Sequence, residues 1–162
     1  MPVVAIQVGV EYSRQQELAI IRAVSTAMTR VLKIPEGDID ARLFARDPHR
    51  LPVPPGKGEQ YTLVIIDMFG GCPLGAGKSL YRSIVMNLCL LLIPADHIRV
   101  VLHETERDDW GTSRGMAASE VAGYATKVWA PFRLRVRRGA PMGWLRLLAQ
   151  VFGLRAGAMR DS

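Results

Sequence analysis

The sequence predicts an α+β fold in which a β-α-β unit occurs twice, giving a four-stranded sheet with both helices on one face. Three features carry this expectation. Two β-branched, apolar runs, at residues 3–8 and 61–67, are each followed by a stretch whose apolar residues recur at helical spacing. Ile34-Pro35 and Ile93-Pro94 close those stretches, because the residue before a proline is pushed out of the α region. Finally, a shift of 59 residues lays 3–8 over 62–67 and 34–39 over 93–98, and a fixed period marks a repeated unit.

Taken in order, Pro2 opens the first strand, where its missing N–H costs little. Ser13 is a good N-cap for a helix over residues 15–32, with Glu17 close to its positive end. Leu18, Ile21, Ala23, Val24, Met28, Val31 and Leu32 supply the apolar stripe of that helix. Residues 38–45 read as the second strand, and the Pro/Gly-rich segment 51–58 as a linker. The pattern then restarts with a strand at 61–67, a Gly-rich turn at 70–73, a helix at 77–92 and a strand at 98–104. A helix between two strands makes each pair parallel with a right-handed crossover. The sheet face without helices must then be buried against another layer, most simply a second copy.

A length of 162 residues suits one domain able to bury its own core. Cys72 and Cys89 lack metal spacing and a disulfide framework, which implies a reducing, cytoplasmic setting. The first apolar run lacks the basic leader of a secretion signal, and residues 84–93 are too few to span a bilayer. The net charge of +6 is unevenly placed. Residues 1–123 hold 13 Lys/Arg against 14 Asp/Glu, and residues 124–162 hold 8 against 1, so the main body is not expected to bind nucleic acid.

The strand Ile98-Arg99-Val100-Val101-Leu102-His103-Glu104, the following Asp109-Trp110-Gly111 and Gly115, and the doubled Ile-Pro units behind Pro2 carry a resemblance. Over about residues 2–122 the chain resembles the tautomerase superfamily, which includes 4-oxalocrotonate tautomerase, macrophage migration inhibitory factor and malonate semialdehyde decarboxylase. The resemblance implies a tautomerase-like domain at residues 1–123, with units at 2–46 and 61–118, and a basic extension at 124–162. It also implies a barrel-like homotrimer and keto–enol proton transfer on a small 2-keto or 2-hydroxydienoate acid. Pro2, freed by removal of Met1, would be the acid/base. Arg99 would bind the substrate carboxylate, with Trp110 and Tyr12 beside it. Asp38 matches the catalytic aspartate of the decarboxylase branch, which implies decarboxylation or hydration of a small unsaturated or 3-oxo acid as the alternative. Tyr12 and Cys72 stand where the short tautomerases carry arginine, so a non-catalytic interaction module is a further alternative.

The chemistry of the residues fits the first of these. A secondary amine in an apolar pocket loses its protonated form more easily, which suits proton transfer. An arginine pairs bidentately with a carboxylate, and an indole wall keeps water out. No metal or cofactor is expected, since His49, His97 and His103 lack ligand spacing. Gly77-Lys78-Ser79 follows a strand, but Cys72 occupies the position at which a phosphate loop requires glycine. In the extension, residues 132–137 alternate as a strand with one cationic face, and 142–154 as an amphipathic helix. Docking on the assembly or partial disorder is expected there rather than contact with a membrane surface or an acidic partner.

Overall fold

The computed structural model describes residues 2–47, 50 and 53–121, so the strand and helix expected in the basic extension lie outside the described residues. Six main elements follow in chain order: β1 (Val3–Val8), α1 (Arg14–Leu32), β2 (Asp40–Ala45), β3 (Thr62–Phe69), α2 (Leu74–Cys89) and β4 (Ile98–Thr105). They form an α+β domain with a mixed sheet in the order β2-β1-β3-β4. Each β-α-β unit contributes a parallel pair, and β1 meets β3 antiparallel at the centre.

The helices cover one face of the sheet because alternate strand residues are apolar there. Val4, Ile6 and Val8 of β1 and Val64, Ile66 and Met68 of β3 are buried against Ile20, Val24, Met28, Leu80, Ile84 and Leu88 of the helices. Burying each such side chain is worth about 1.5–3 kcal/mol. Leu18, expected on the inward stripe of α1, is 47% exposed, and Ile20 takes the core position instead.

α1 begins with a reciprocal capping box: Gln16 N–H donates to Ser13 Oγ at 3.4 Å, and Ser13 N–H to Gln16 Oε1 at 2.9 Å. α2 begins three residues before the expected position. Gly75 and Gly77 belong to its first turns, behind Pro73 at the N-cap. The expected loop is therefore a helix start, where proline's fixed φ is compatible.

The repeat is real, but its period is not uniform. Val3 pairs with Asp67 and Val8 with Thr62, so the local two-fold passes through Ala5 and Ile65, which are 60 residues apart. The N-caps Ser13 and Pro73 keep that interval. Lys33 and Leu92, both with left-handed φ (60° and 66°), are 59 apart, as are Pro35 and Pro94. The residue is lost where α2 ends. α1 closes with one bond from Lys33 N–H to Thr29 O at 3.1 Å. α2 ends at Cys89 and closes through a further turn, with bonds from Leu90 N–H to Met86 O at 3.3 Å, Leu91 N–H to Leu88 O at 2.9 Å, Leu92 N–H to Cys89 O at 3.0 Å and Ile93 N–H to Leu88 O at 3.4 Å. The 59-residue superposition thus placed β1 one residue out of phase with β3, and a one-residue slip exchanges the faces of a strand.

Three rows of side chains cross the helix-free face. Asp40, Val3, Asp67 and His103 form the first; Arg42, Ala5, Ile65 and Val101 the second; Phe44, Gln7, Leu63 and Arg99 the third. Its centre is apolar and its edges are charged.

Candidate active site

Pro2 is buried at the head of the central strand β1, and its carbonyl accepts the Asp40 N–H at 3.1 Å. β3 runs antiparallel to β1, so its last residues, Met68 and Phe69, reach the same end of the sheet. Trp110 joins them there. Its ring lies edge-on to Phe69, with centroids 5.2 Å apart and planes at 68°. A compact loop holds the indole: Ala118 N–H donates to Trp110 O at 2.9 Å, and Thr112 N–H to Met116 O at 2.7 Å. Asp38 is half-buried in the short 3-10 turn before β2, also at this end. Pro2, Asp38 and Trp110 therefore share one end of the sheet.

Arg99 and Tyr12 do not join them. Arg99 is exposed on β4 opposite Leu63, which in turn faces Gln7. That row is five residues along β1 from Pro2, or roughly 16 Å. Tyr12 follows the far end of β1 and packs on the core, with its hydroxyl buried and without a hydrogen-bond partner. Burial pushes its phenol above the usual range. Within one chain the five residues singled out from the sequence form two groups at opposite ends.

The Pro2 end also holds acidic groups that sequence reasoning passed over. Glu104, on β4 opposite Met68, accepts the N–H groups of Gly71 at 3.3 Å and Cys72 at 3.1 Å. A carboxylate thus takes the backbone amides of the turn in which the resemblance would place an arginine. The Cys72 thiol is pushed up by burial, and further by the Glu104 charge, so it is a poor nucleophile at neutral pH. Asp67 Oδ1 and His103 Nδ1 are 2.9 Å apart on the helix-free face. Asp40 is engaged by Arg42 at 2.7 and 3.1 Å, and the bond from Arg42 holds its carboxyl below the usual range. The signal for the Asp67–His103 pair was the 36-residue offset between β3 and β4, which sets those two side chains opposite one another.

Among the described residues no cluster of His, Cys, Asp and Glu forms a metal site, and no helix is long and apolar enough to cross a membrane. The arrangement sets a buried proline, an aromatic pair and titratable carboxylate and imidazole groups at one end of the sheet.

No protein-family profile and no curated protein matches the chain by sequence. Solved structures do match. A malonate semialdehyde decarboxylase inhibited by 3-bromopropiolate is 23% identical, over 74% of this chain and 98% of that one, with a TM-score of 0.65. A fused 4-OT that forms a symmetric trimer is 17% identical, over 74% and 99%, at 0.67. Pt0534, inactivated by 2-oxo-3-pentynoate, is 17% identical, over 72% and 96%, at 0.66. These likenesses are of fold.

Proposed function

From the tautomerase-superfamily fold that the chain adopts, we propose an isomerase that moves a proton between carbon and oxygen of a small 2-keto or 2-hydroxydienoate acid. The observation that carries this reading is Pro2 itself, buried at the head of the central strand with the Phe69–Trp110 pair at the same end. Once Met1 is removed, its secondary amine exchanges the proton that the substrate gains or loses at carbon. Enclosure disfavours the ammonium form and keeps the amine usable as a base near neutrality.

The carboxylate of such a substrate needs a cation. At the Pro2 end Arg42 is committed to Asp40, and Glu104 repels an anion. No partner of Arg99 is found among the described residues; Arg107 and Arg114 lie in the loop that carries Trp110, but following the family resemblance we take Arg99, too distant in its own chain, to serve the Pro2 of another copy. The site is then complete only in an oligomer, taken here as a homotrimer in keeping with the trimeric fused 4-OT. The apolar centre of the helix-free face, from Val3, Ala5, Leu63 and Ile65, suits such an assembly. A cytoplasmic location fits the two free cysteines.

Intact-mass measurement tests the premise, since retained Met1 blocks the amine. Mixing Pro2→Ala chains with Arg99→Ala chains, at a substrate level too low for either alone to turn over, tests the shared site. Recovery of turnover on a 2-hydroxymuconate-type substrate supports it, and no recovery places both residues in one protomer's site or rejects the role of Arg99.

A second reading rests on the position of Asp38, half-buried at the Pro2 end, together with the likeness to malonate semialdehyde decarboxylase. There Asp38 activates water for hydration or decarboxylation. Loss of that activity alone in Asp38→Asn would favour it.

A further inference from the structure

Building on the isomerase reading, we propose that Asp67 and His103 form a second acid/base dyad that handles the proton on the substrate's enol oxygen while Pro2 handles the one on carbon. Asp67 stands directly opposite Val3, the residue after Pro2, and His103 stands opposite Asp67 on the next strand. Two strand spacings, on the order of 10 Å, therefore separate His103 from the head of β1, and a small organic acid spans that gap.

The pair has the form of an oriented base. With Asp67 ionised and the ring neutral, Nδ1–H donates to Oδ1 at 2.9 Å, which leaves the Nε2 lone pair free. No partner for Nε2 is found among the described residues, and in the single chain the His103 side chain is 56% exposed, at the edge of the face whose apolar centre is proposed to meet other copies. The charged groups of the neighbouring rows leave this arrangement intact, while Glu106, Arg107, Asp108 and Asp109 follow β4 in the next turn at the same end. In the same row Asp40 is held by Arg42, Glu104 turns to the Gly71–Cys72 amides on the other face, and Arg99 is two rows away.

The repeat supplies a control within the molecule. The positions equivalent to Asp67 and His103 in the first unit are Gln7 and Phe44, at the far end of the sheet, by the 60- and 59-residue intervals above. The fold therefore forms without such a pair, and the chain carries it only beside Pro2.

In the ketonising direction, His103 Nε2 accepts the enol O–H proton as the C=O bond forms, and protonated Pro2 delivers its proton to carbon. Imidazolium and free amine remain, and solvent carries one proton from the first to the second. One proton has moved from oxygen to carbon, and the enzyme is restored.

The experiment compares full-length wild type, His103→Gln and Asp67→Asn in two assays. One is the pH profile of kcat/KM on 2-hydroxymuconate, and the other is covalent labelling of Pro2 by 3-bromopropiolate, followed by mass. The dyad predicts that His103→Gln lowers kcat about a hundredfold with KM little changed, and alters the shape of the pH profile. Asp67→Asn loses less, and labelling proceeds in both variants as in wild type. Wild-type turnover and an unchanged pH profile in both variants would overturn the dyad while leaving Pro2 catalysis standing. Failure of wild type both to turn over and to label would overturn the isomerase reading, and the dyad with it. A His103→Gln chain that does not fold leaves the decision to Asp67→Asn, where a wild-type profile rejects the proposal.

Discussion

The two ends of the sheet are built from the same repeated unit, yet they have diverged in chemistry. At one end the first strand of a unit begins with Pro2, whose nitrogen can become a chain terminus. At the other the equivalent residue is Thr62, locked between Tyr61 and Leu63 and fully buried, with its hydroxyl donating to Gln60 O at 3.1 Å. The residue equivalent to Arg99 is Asp40, so the charge at that position is inverted between the units. A duplicated fold supplies two similar frames, and single residues decide which frame receives the amine and which the cation. Under the proposed reaction neither end is self-sufficient, which is the physical reason for placing it in an assembly.

The largest expected effect tests that division directly. Pro2→Ala should lower kcat/KM by about 10²–10⁴-fold, the usual worth of a positioned acid/base group. Thr62→Val, at the matching position, should leave turnover intact and cost about 1 kcal/mol of stability for the lost hydrogen bond. Steady-state kinetics with thermal denaturation separates the two, and equal kinetic losses would dissolve the distinction between the ends.

Next in size, Arg99→Ala should raise KM by roughly ten- to a hundredfold, the worth of hydrogen bonds to a charged group. Arg99→Lys should recover only part, because an ammonium lacks the two-pronged geometry. A KM unaffected by either change would remove the far end from the reaction.

Tyr12→Phe sharpens the comparison in the opposite direction. The hydroxyl is buried and unpaired, so its removal should be neutral or stabilise the fold by up to about 1 kcal/mol, with turnover unchanged. A clear fall in rate would mark the phenol as part of a site.

The smallest effect concerns Cys72. Its raised thiol pKa leaves less thiolate at a given pH than an ordinary cysteine has, so alkylation by iodoacetamide should be slow near neutrality and rise at higher pH. Glu104→Gln removes a negative charge, lowers the thiol pKa and should speed labelling modestly, since burial is the larger cause. Labelling as fast as that of a free cysteine would contradict this environment.

Much of the fold could be read from residues close together in sequence. Ile34-Pro35 closed the first helical stretch, Ser13 capped α1, and the β-branched runs became strands, whereas α2 ends at Cys89, three residues short of the expected Leu92, and a turn carries the chain to Ile93-Pro94. Features that depend on distant pairing were not legible. Nothing local says that β1 and β3 run antiparallel, and that arrangement sends Pro2 and Arg99 to opposite ends. Asp67 and His103 looked like unrelated strand residues until the β3–β4 register set them side by side. The start of α2 was misplaced because Gly75 and Gly77 resemble a loop, whereas tertiary packing overrides their weak helix propensity.

The missing residue at the end of α2 has a consequence for how the two halves can change length. Strands keep count, since adding or removing one residue turns every later side chain to the wrong side. A helix terminus has no such parity, provided that a left-handed residue can close it. Leu92 fills that role with 84% of its surface exposed, outside the core. The helix ends are therefore the points where the gene tolerates insertion and deletion, and where the copies could drift apart without the sheet losing its inside and outside.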